Sequence, residues 1–188
     1  MNPSFLFDGN DRMFKQFAIE SLNYGEYGCG KSTVWMSNNT NTNITSVDTS
    51  KEWVDSIKKQ ILEHKNTFIK MIDCGPVKQW GKPIDLSKKD NFIQYAEFLW
   101  KQDVKPDMVL IDGRFRVLCF LISLKHANEN TKLIFDDYVD RPYYHIVERV
   151  LKPIEFDGRQ ACFCVPKKEK LDFEKINVLI EDYKFEIL

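Results

Sequence analysis

Apolar residues recur along the chain with two alternating periodicities, one typical of helices and one typical of strands. In residues 11–21, Met13, Phe14, Phe17 and Ala18 share one helical face. Strand patterns lie at residues 22–26, 44–48, 68–75, 108–113 and 133–138, and helical patterns at 33–37, 51–64, 92–102, 117–127 and 142–151. Regular alternation of strand and helix predicts an α/β fold, with a parallel sheet covered by helices on both faces.

The two ends of the chain complete this organisation. Residues 152–158 and 160–166 are two strand-like runs about a glycine turn, so we expect an antiparallel hairpin there. Four apolar residues of the charged tail share a helical face, namely Ile176, Leu179, Ile180 and Tyr183. That face either packs on its own sheet or makes a homodimer contact. We predict one domain over residues 1–188: an N-terminal helix in 1–21, a core in 22–166 and a helical tail in 167–188.

Composition and charge exclude several classes of partner. A chain of 188 residues with 43% apolar residues can bury one substantial core. Its net charge of −1 is spread evenly, so we expect no nucleic-acid partner. No apolar run approaches the roughly 20 residues that cross a bilayer. Five cysteines form no C-x-x-C pair and the N-terminus lacks a signal-peptide pattern, so we expect reduced thiols and a cytoplasmic location.

The stretch GEYGCGKST, residues 25–33, fits two patterns that hold different ligands. From Gly25 it is G-x-x-x-x-G-K-S, a P-loop whose backbone N–H groups hold phosphates while Lys31 reaches the terminal ones. From Glu26 it is E-x-G-x-G, the turn by which the first strand of a doubly wound domain meets a nucleoside. The apolar run ending at Asp112 could supply the Mg²⁺-binding acid of a P-loop NTPase or kinase, so both interpretations have support.

Three features favour the nucleoside site. The strand before the glycines is half polar, and the helix after them stops early at an Asn/Thr run, unlike a P-loop. Asp48 stands about twenty residues past Gly28, where a carboxylate accepts the ribose hydroxyls of a nucleoside cofactor. A methyl donor carries no phosphates, so Lys31 would simply face solvent. We therefore predict a methyl-donor site.

Five segments in this order, EYGCGKST, SVDTSKEW, DCGPVKQWGKP, IDGRFR and FDDYVDRPYYH, resemble the class I S-adenosylmethionine-dependent methyltransferases. They are most similar to the small enzymes of glycan and sugar biosynthesis, and the resemblance spans residues 22–166. It implies a doubly wound, mostly parallel, seven-stranded Rossmann-like sheet of order 3-2-1-4-5-7-6, with S-adenosyl-L-methionine across the ends of strands 1 and 2.

Six residues are candidates for binding this cofactor: Glu26, Gly28, Gly30, Ser32, Asp48 and Asp73. The glycine turn would form a floor under the methionine and ribose, with backbone amides available to the carboxylate. Asp48 would accept from the ribose hydroxyls, although it could also cap the helix that begins near residue 50. Asp73 would end its strand beside the adenine.

Three acids gather at neighbouring strand ends, where catalysis is expected. Asp112 closes one strand and Asp136 and Asp137 close the next, and parallel neighbours lie about 4.8 Å apart. Their repulsion can be relieved by Mg²⁺, by Arg114 or Arg116, or by a raised pKa on one acid. The resemblance to macrocin-type sugar O-methyltransferases implies Mg²⁺ on these three acids, but that group has another acid where this chain has Arg114.

Methyl transfer needs alignment of donor and acceptor and a base for the hydroxyl proton. Asp112 is the first candidate base, and His145, in the first turn of a helix that Asp140 could cap, is the second. Candidate substrate contacts are Arg114, Tyr143, Tyr144 and Trp80, the aromatic residues as stacking or covering groups; Trp80 could contact the cofactor instead.

We therefore expect an S-adenosylmethionine-dependent O-methyltransferase of EC class 2.1.1 that acts on a sugar hydroxyl of a carbohydrate acceptor. The alternatives are a P-loop NTPase or kinase, and a catalytically silent module that keeps the fold for partner binding.

Overall fold

The computed structural model describes residues 5–7, 10–62 and 66–187 of the chain, and its centre is a seven-stranded sheet. The strands are β1 (Asn23–Tyr27), β2 (Asn43–Asp48), β3 (Thr67–Met71), β4 (Val77–Lys78), β5 (Lys82–Pro83), β6 (Met108–Ile111), β7 (Lys132–Phe135), β8 (Glu155–Asp157) and β9 (Gln160–Cys164). The large sheet has the order β3-β2-β1-β6-β7-β9-β8, and β4 and β5 form a separate two-stranded hairpin.

The predicted strand order is confirmed. When the small β4–β5 hairpin is left out of the count, the order becomes 3-2-1-4-5-7-6. Strands β1, β2, β3, β6 and β7 pair in parallel, and β9 pairs antiparallel with both β7 and β8. The β4–β5 hairpin was not predicted, because the sequence pattern indicated only a loop there. Each of its strands is two residues long, which is too short to show the alternation of a strand.

Six α-helices connect the strands: α1 (Arg12–Glu20), α2 (Lys31–Asn39), α3 (Lys51–Lys58), α4 (Asp90–Glu97), α5 (Arg116–His126) and α6 (Phe173–Tyr183). Short 3₁₀ helices span Gln79–Gly81, Phe98–Lys101, Pro142–Arg149 and Lys168–Lys170. Two of these differ from the predicted α-helices, because the helix predicted over 92–102 tightens at Phe98 and the segment after Pro142 is 3₁₀ throughout. The first buries Leu99 and Trp100, and the second buries Tyr144 and Val147.

Helices bury both faces of the sheet, as predicted. On one face, α4, α5 and α6 pack with the sheet in a core that contains Phe92, Phe120 and Phe163. On the other, α1 and α2 contribute Phe14 and Met36 to a second core. β6 is buried along its whole length, as its continuous apolar run predicted.

The C-terminal helix α6 belongs to the first of these cores. Ile176, Leu179 and Ile180 are buried, and α6 packs beside α5. The apolar face of the tail is therefore covered by its own chain, so these three residues are not available for a homodimer contact. Of the helices that the structure describes, none combines the length and the apolar character that crossing a membrane requires.

Candidate functional site

The carboxyl ends of β1, β2, β6 and β7 meet at one edge of the sheet, and this edge carries most of the predicted site residues. Backbone hydrogen bonds continue the ladder into the turns: Gly28 N–H donates to the Val47 carbonyl at 2.8 Å, and Asp112 N–H to the Tyr27 carbonyl at 3.0 Å. Asp136 N–H likewise donates to the Ile111 carbonyl at 3.1 Å. The sheet therefore fixes the relative positions of the glycine turn and the acids.

The two glycines of the predicted cofactor turn have different roles. Gly28 has a φ of 90°, and a Cβ built on it would lie 2.6 Å from the Cα of Gly113, so Gly28 allows two turns to touch. At Gly30, by contrast, no atom of the other described residues, its chain neighbours aside, lies within 4 Å of a built Cβ. The open face of the turn is at Gly30, just before α2 begins, and a ligand can approach the backbone there.

Glu26 lies inside the protein, below this turn. Its carboxylate accepts hydrogen bonds from the hydroxyls of Tyr24 at 2.9 Å and Ser46 at 3.0 Å, and from those of Ser32 and Thr33. Burial raises the pKa of the Glu26 carboxyl to about 7, while the hydroxyls of Ser32, Thr33, Tyr24 and Ser46 lower it. The predicted direct contacts of Glu26 and Ser32 with a cofactor are thus corrected, since both side chains are buried and instead tie β1, β2 and α2 together.

Asp48 ends β2 next to the glycine turn. One carboxylate oxygen accepts from Cys29 N–H at 3.1 Å and the other from Ser50 N–H at 2.9 Å. Ser50, not Asp48, is the N-cap of α3, because its hydroxyl accepts from Trp53 N–H. Burial raises the pKa of Asp48 and the two backbone donors oppose this. A carboxylate oxygen can accept more than one hydrogen bond, so Asp48 keeps capacity for the hydroxyls of a ribose.

Asp73 and Trp80 lie on the same side of the site, beyond β2 and β3. The Asp73 side chain is exposed, accepts from Gly75 N–H at 3.0 Å and lies 3.8 Å from the Lys88 ammonium. Trp80 stands at the tip of the β4–β5 hairpin with 77% of its surface exposed. The structure leaves both side chains accessible, and Gly81, next to Trp80, lies beside Asp48.

The three predicted acids come together as expected, with oxygens of Asp112, Asp136 and Asp137 within 4.8 Å of one another. Among the described residues, three guanidinium groups balance them. Arg116 lies 2.9 Å from Asp112 and 3.0 Å from Asp137. The remaining two arginines contact the Asp-Asp pair.

Arg159 and Arg141 complete this neutralisation. Arg159 makes a bidentate contact with Asp136, at 3.1 and 2.6 Å, and lies 3.2 Å from Asp137. Arg141 lies 2.9 Å from the same Asp137 oxygen that faces Arg116. The three charges of each sign cancel, and an Asp136 oxygen also accepts from Gln160 at 3.0 Å. We call these six charged residues the Asp–Arg cluster.

Arg116 is the central cation of the Asp–Arg cluster. It is only 5% exposed and also donates to the backbone carbonyls of Gly113 and Asp136. Burial lowers the pKa of Arg116, but the neighbouring carboxylates, Asp112 first, raise this pKa by more than burial lowers it. Arg116 therefore stays charged. Of the two arginines that the sequence offered as neutralising groups, the structure selects Arg116; Arg114 is half-buried and its N–H donates to the Tyr95 hydroxyl at 3.4 Å.

Mg²⁺ would have to compete with arginine for the oxygens of these acids. A hard cation needs carboxylate oxygens that are free to turn toward it, ideally in octahedral geometry. Here both oxygens of Asp136 and both of Asp137 are engaged by guanidinium groups. The magnesium site at Asp112, Asp136 and Asp137 therefore stays a prediction: the acids lie close enough together for a metal ion, but arginine side chains occupy directions that it would use.

Asp112 is the most accessible acid of the Asp–Arg cluster, with 29% of its side chain exposed. Burial raises its pKa well above the ordinary value, the charge of Asp136 raises it further, and Arg116 lowers it. A carboxyl with a raised pKa that still reaches solvent is a stronger base than an ordinary aspartate.

The aromatic segment after β7 is divided between the core and the surface. Tyr144 is 2% exposed and packs on Phe135, with ring centroids 4.8 Å apart. Its predicted substrate contact is corrected by this burial, whereas Tyr143 is 45% exposed and remains a candidate. His145 packs against the Tyr138 ring at 4.6 Å, with its Nε2 3.0 Å from the Tyr138 carbonyl oxygen. The N-cap position is Arg141 and not Asp140.

The functional residues that sequence reasoning missed are Arg141 and Arg159. A signal existed for Arg159, because the predicted antiparallel strand after the glycine turn runs beside β7. In the structure Phe135 pairs with Ala161, which brings residues 159 and 160 alongside Asp136. Only the exact register, which a sequence pattern does not fix, could have identified it.

The sheet contradicts the P-loop interpretation. Gly25 and Glu26 lie within β1, paired with Thr45 and Ser46 on one side and with Val109 and Leu110 on the other. Their backbone groups belong to the ladder of a central strand, whereas a P-loop needs those N–H groups for phosphates. Lys31 is exposed, as the methyl-donor interpretation predicted.

Several solved structures share this architecture. A methyltransferase-like protein from Silicibacter pomeroyi DSS-3 is 29% identical, covers 93% of this chain and 92% of its own, and superposes with a TM-score of 0.80. The N-methyltransferase NodS from Bradyrhizobium japonicum WM9, in complex with S-adenosyl-L-homocysteine, is 12% identical with a TM-score of 0.53, over 85% of this chain and 90% of its own.

The S-adenosylhomocysteine-bound methyltransferase PaMTH1 of Podospora anserina is 13% identical with a TM-score of 0.51, over 80% of this chain and 74% of its own. No protein-family model matches the sequence, and a search of curated proteins returns no match. With its strand order, its antiparallel β9 and these neighbours, the chain has the Rossmann-like fold of the class I methyltransferases.

Proposed function

We propose that this protein is an S-adenosylmethionine-dependent methyltransferase, EC class 2.1.1. The observation that carries the proposal is the open face of Gly30 beside Asp48, in a chain that resembles a methyltransferase-like protein over 93% of its length. Two further structures of the same fold carry S-adenosylhomocysteine, the product of the donor. Sequence motif, fold and local geometry thus support the same cofactor.

This chain's residues would hold the donor in the following way. Asp48 accepts from the ribose hydroxyls, and the backbone at Gly30 and the start of α2 faces the methionine part, where the helix N-terminus favours its carboxylate. Glu26 keeps the turn in shape from inside through its hydroxyl partners. Asp73 lies beyond β3, where its exposed carboxylate is accessible to the adenine side.

The donor supplies a methyl group on a sulfonium, which an acceptor oxygen attacks directly. The new C–O bond forms as the C–S bond breaks, the sulfur keeps the electron pair of the broken bond, and the hydroxyl proton is released. Asp112 takes this proton, because its carboxyl is accessible and its pKa is raised. Arg116 holds Asp112 in place at 2.9 Å.

We further propose that the acceptor is a sugar hydroxyl. The sequence resemblance to sugar O-methyltransferases supports this choice, and so does the exposed ring of Tyr143, against which the apolar face of a sugar can pack. His145 remains the second candidate base; its contact with the Tyr138 carbonyl leaves one ring nitrogen for other partners.

Transfer of a labelled methyl group to a panel of glycan acceptors, followed by mass spectrometry, tests the proposal. We expect a methylated sugar, activity that EDTA does not abolish, and a loss of at least about a hundredfold in kcat for Asp112→Asn, the effect typical of removing a general base. Donor binding without transfer to any acceptor would favour a silent module instead. Loss of activity in EDTA that Mg²⁺ restores would contradict neutralisation by arginine.

A further inference from the structure

The β4–β5 hairpin lies directly on the residues that follow Asp48. Val77 pairs with Pro83 and Lys78 with Lys82, so the turn Gln79–Gly81 forms the tip. The carbonyl of Gly81 accepts from the Thr49 hydroxyl at 2.6 Å. A Cβ built on Gly81 would lie 2.5 Å from that hydroxyl oxygen and 3.5 Å from an Asp48 carboxylate oxygen. The tip is therefore fixed beside the predicted ribose site.

Trp80 has two unfavourable features at this tip. Its backbone is left-handed, with φ 66° and ψ 25°, a conformation that costs free energy in a residue with a Cβ. Its indole is 77% exposed, so the largest apolar side chain of the protein gains little from burial within the fold. Packing within the chain therefore does not account for a tryptophan at position 80.

We propose that Trp80 is a donor-binding residue whose indole packs on the adenosyl group when Asp48 holds the ribose. This inference rests on the proposed donor site. A purine offers a flat face of matching size, and such stacking is a strong and sequence-independent contact. The anchor between Thr49 and Gly81 brings the ring to the correct side of the sheet.

The position in the sheet separates donor from acceptor. The tip that carries Trp80 lies against Thr49, just after β2, while Asp112 and the Asp–Arg cluster follow β6 and β7, on the other side of β1. Neighbouring strands are spaced by about 4.8 Å, so the two places are about 10 Å apart or more. The sequence left Trp80 open between cofactor and substrate, and this position favours the adenosyl end of the donor, while acceptor chemistry stays near Asp112.

Calorimetric titration with S-adenosylhomocysteine and, separately, with adenosine tests the assignment. We expect Trp80→Ala to weaken binding of both ligands by about tenfold, the size of a lost base-stacking contact. Trp80→Phe keeps a flat ring and should stay within about threefold of the wild type. The matched control is Phe156→Ala, which removes an exposed aromatic ring from β8 at the opposite edge of the sheet and should change neither affinity.

Two further measurements complete the test. Thermal unfolding without ligand should be the same for Trp80→Ala as for the wild type, because the ring is exposed. Tryptophan fluorescence of the wild type should change on adding S-adenosylhomocysteine, and Trp80→Phe should remove most of that change although Trp35, Trp53 and Trp100 remain.

The outcomes distinguish a wrong role for Trp80 from a wrong proposed function. If Trp80→Ala binds both ligands as tightly as the wild type, Trp80 is not a donor contact, and the proposed function stands. If it weakens S-adenosylhomocysteine alone, the ring contacts the amino-acid part and the adenosyl assignment is wrong. If the wild type binds neither ligand, the proposed donor site itself fails.

Discussion

Glu26 is a carboxyl surrounded by hydroxyl groups rather than by a cation. Its side chain is fully buried, and it joins two strands and a helix through Tyr24, Ser46, Ser32 and Thr33. Hydroxyls stabilise the ionised form only in part, so burial dominates and the pKa rises from 4.5 to about 7. The residue that shapes the donor turn is therefore also one that makes stability depend on pH.

The sign of this dependence follows from proton binding. Between pH 4.5 and 7 the folded protein keeps a proton on Glu26 that the unfolded chain has lost, so the free energy of unfolding falls as pH rises. The fall is about 3 kcal/mol from this residue. We expect urea denaturation of Glu26→Gln to lack this part of the pH dependence. The same slope in wild type and variant would contradict the raised pKa.

Arg159 is expected to matter more for stability than an ordinary surface arginine. It pairs with Asp136, whose side chain is fully buried, and Arg159→Met leaves one acid of the Asp–Arg cluster without its main partner. We expect a loss of about 3 kcal/mol in the free energy of unfolding at pH 7. The control is Arg12→Met, which breaks an exposed pair with Glu155 at 3.8 Å and should cost less than about 1 kcal/mol. Equal losses in the two variants would show that the cluster is not a buried charge network.

At the scale of elements, two turns carry the site, and their glycines differ in what surrounds them. Gly113, in the turn after β6, fits against Gly28 with no space for a side chain, since a built Cβ lies 2.2 Å from the Tyr95 hydroxyl oxygen and 2.7 Å from the Gly28 nitrogen. Gly30, in the turn after β1, has an open face. Gly113 allows the two turns to pack closely, and Gly30 leaves the backbone accessible to a ligand.

This difference predicts that the same substitution has different effects at the two positions. Gly113→Ala should lower the free energy of unfolding by about 2 kcal/mol, because the added methyl group displaces backbone. Gly30→Ala should cost less than about 1 kcal/mol, since a methyl group fits and only a helix N-cap preference is lost. It should nevertheless weaken donor binding, measured by calorimetry, because the methyl group occupies the approach to the backbone. Unchanged donor affinity in Gly30→Ala would contradict the placement of the donor.

The sequence predicted the elements better than their contacts. The strands β1, β2, β6 and β7 and the acids at their ends follow from apolar runs and from the rule that parallel strands end at one edge, whereas the strand order was implied by the resemblance to the class I methyltransferases. The β4–β5 hairpin escaped detection because each strand has two residues, and the Asp–Arg cluster escaped because it depends on the register of β9. Glu26 and Tyr144 were assigned to ligands because a linear pattern does not show which side of a turn is buried.

In the molecule as a whole, the buried cores that stabilise the fold and the residues of the proposed site lie in different places. Helices on both sides bury the faces of the sheet, so the edge formed by the carboxyl ends of the strands stays available. Along that edge, Trp80 and Asp48 lie toward β3, Gly30 lies in the middle, and Asp112 lies toward β7. This order matches a donor that spans from its adenine to its methyl group, with the base at the methyl end.

The most direct measurement is a calorimetric titration of S-adenosylhomocysteine into the wild type, Asp48→Asn and Lys31→Ala. We predict that the wild type binds with a dissociation constant below about 1 mM, the usual upper range for such ligands. Asp48→Asn should weaken binding by about tenfold through loss of a charged acceptor, and Lys31→Ala, an exposed residue, should bind like the wild type. Absence of binding to the wild type, or binding that Lys31→Ala abolishes and Asp48→Asn leaves unchanged, would contradict the proposed donor site.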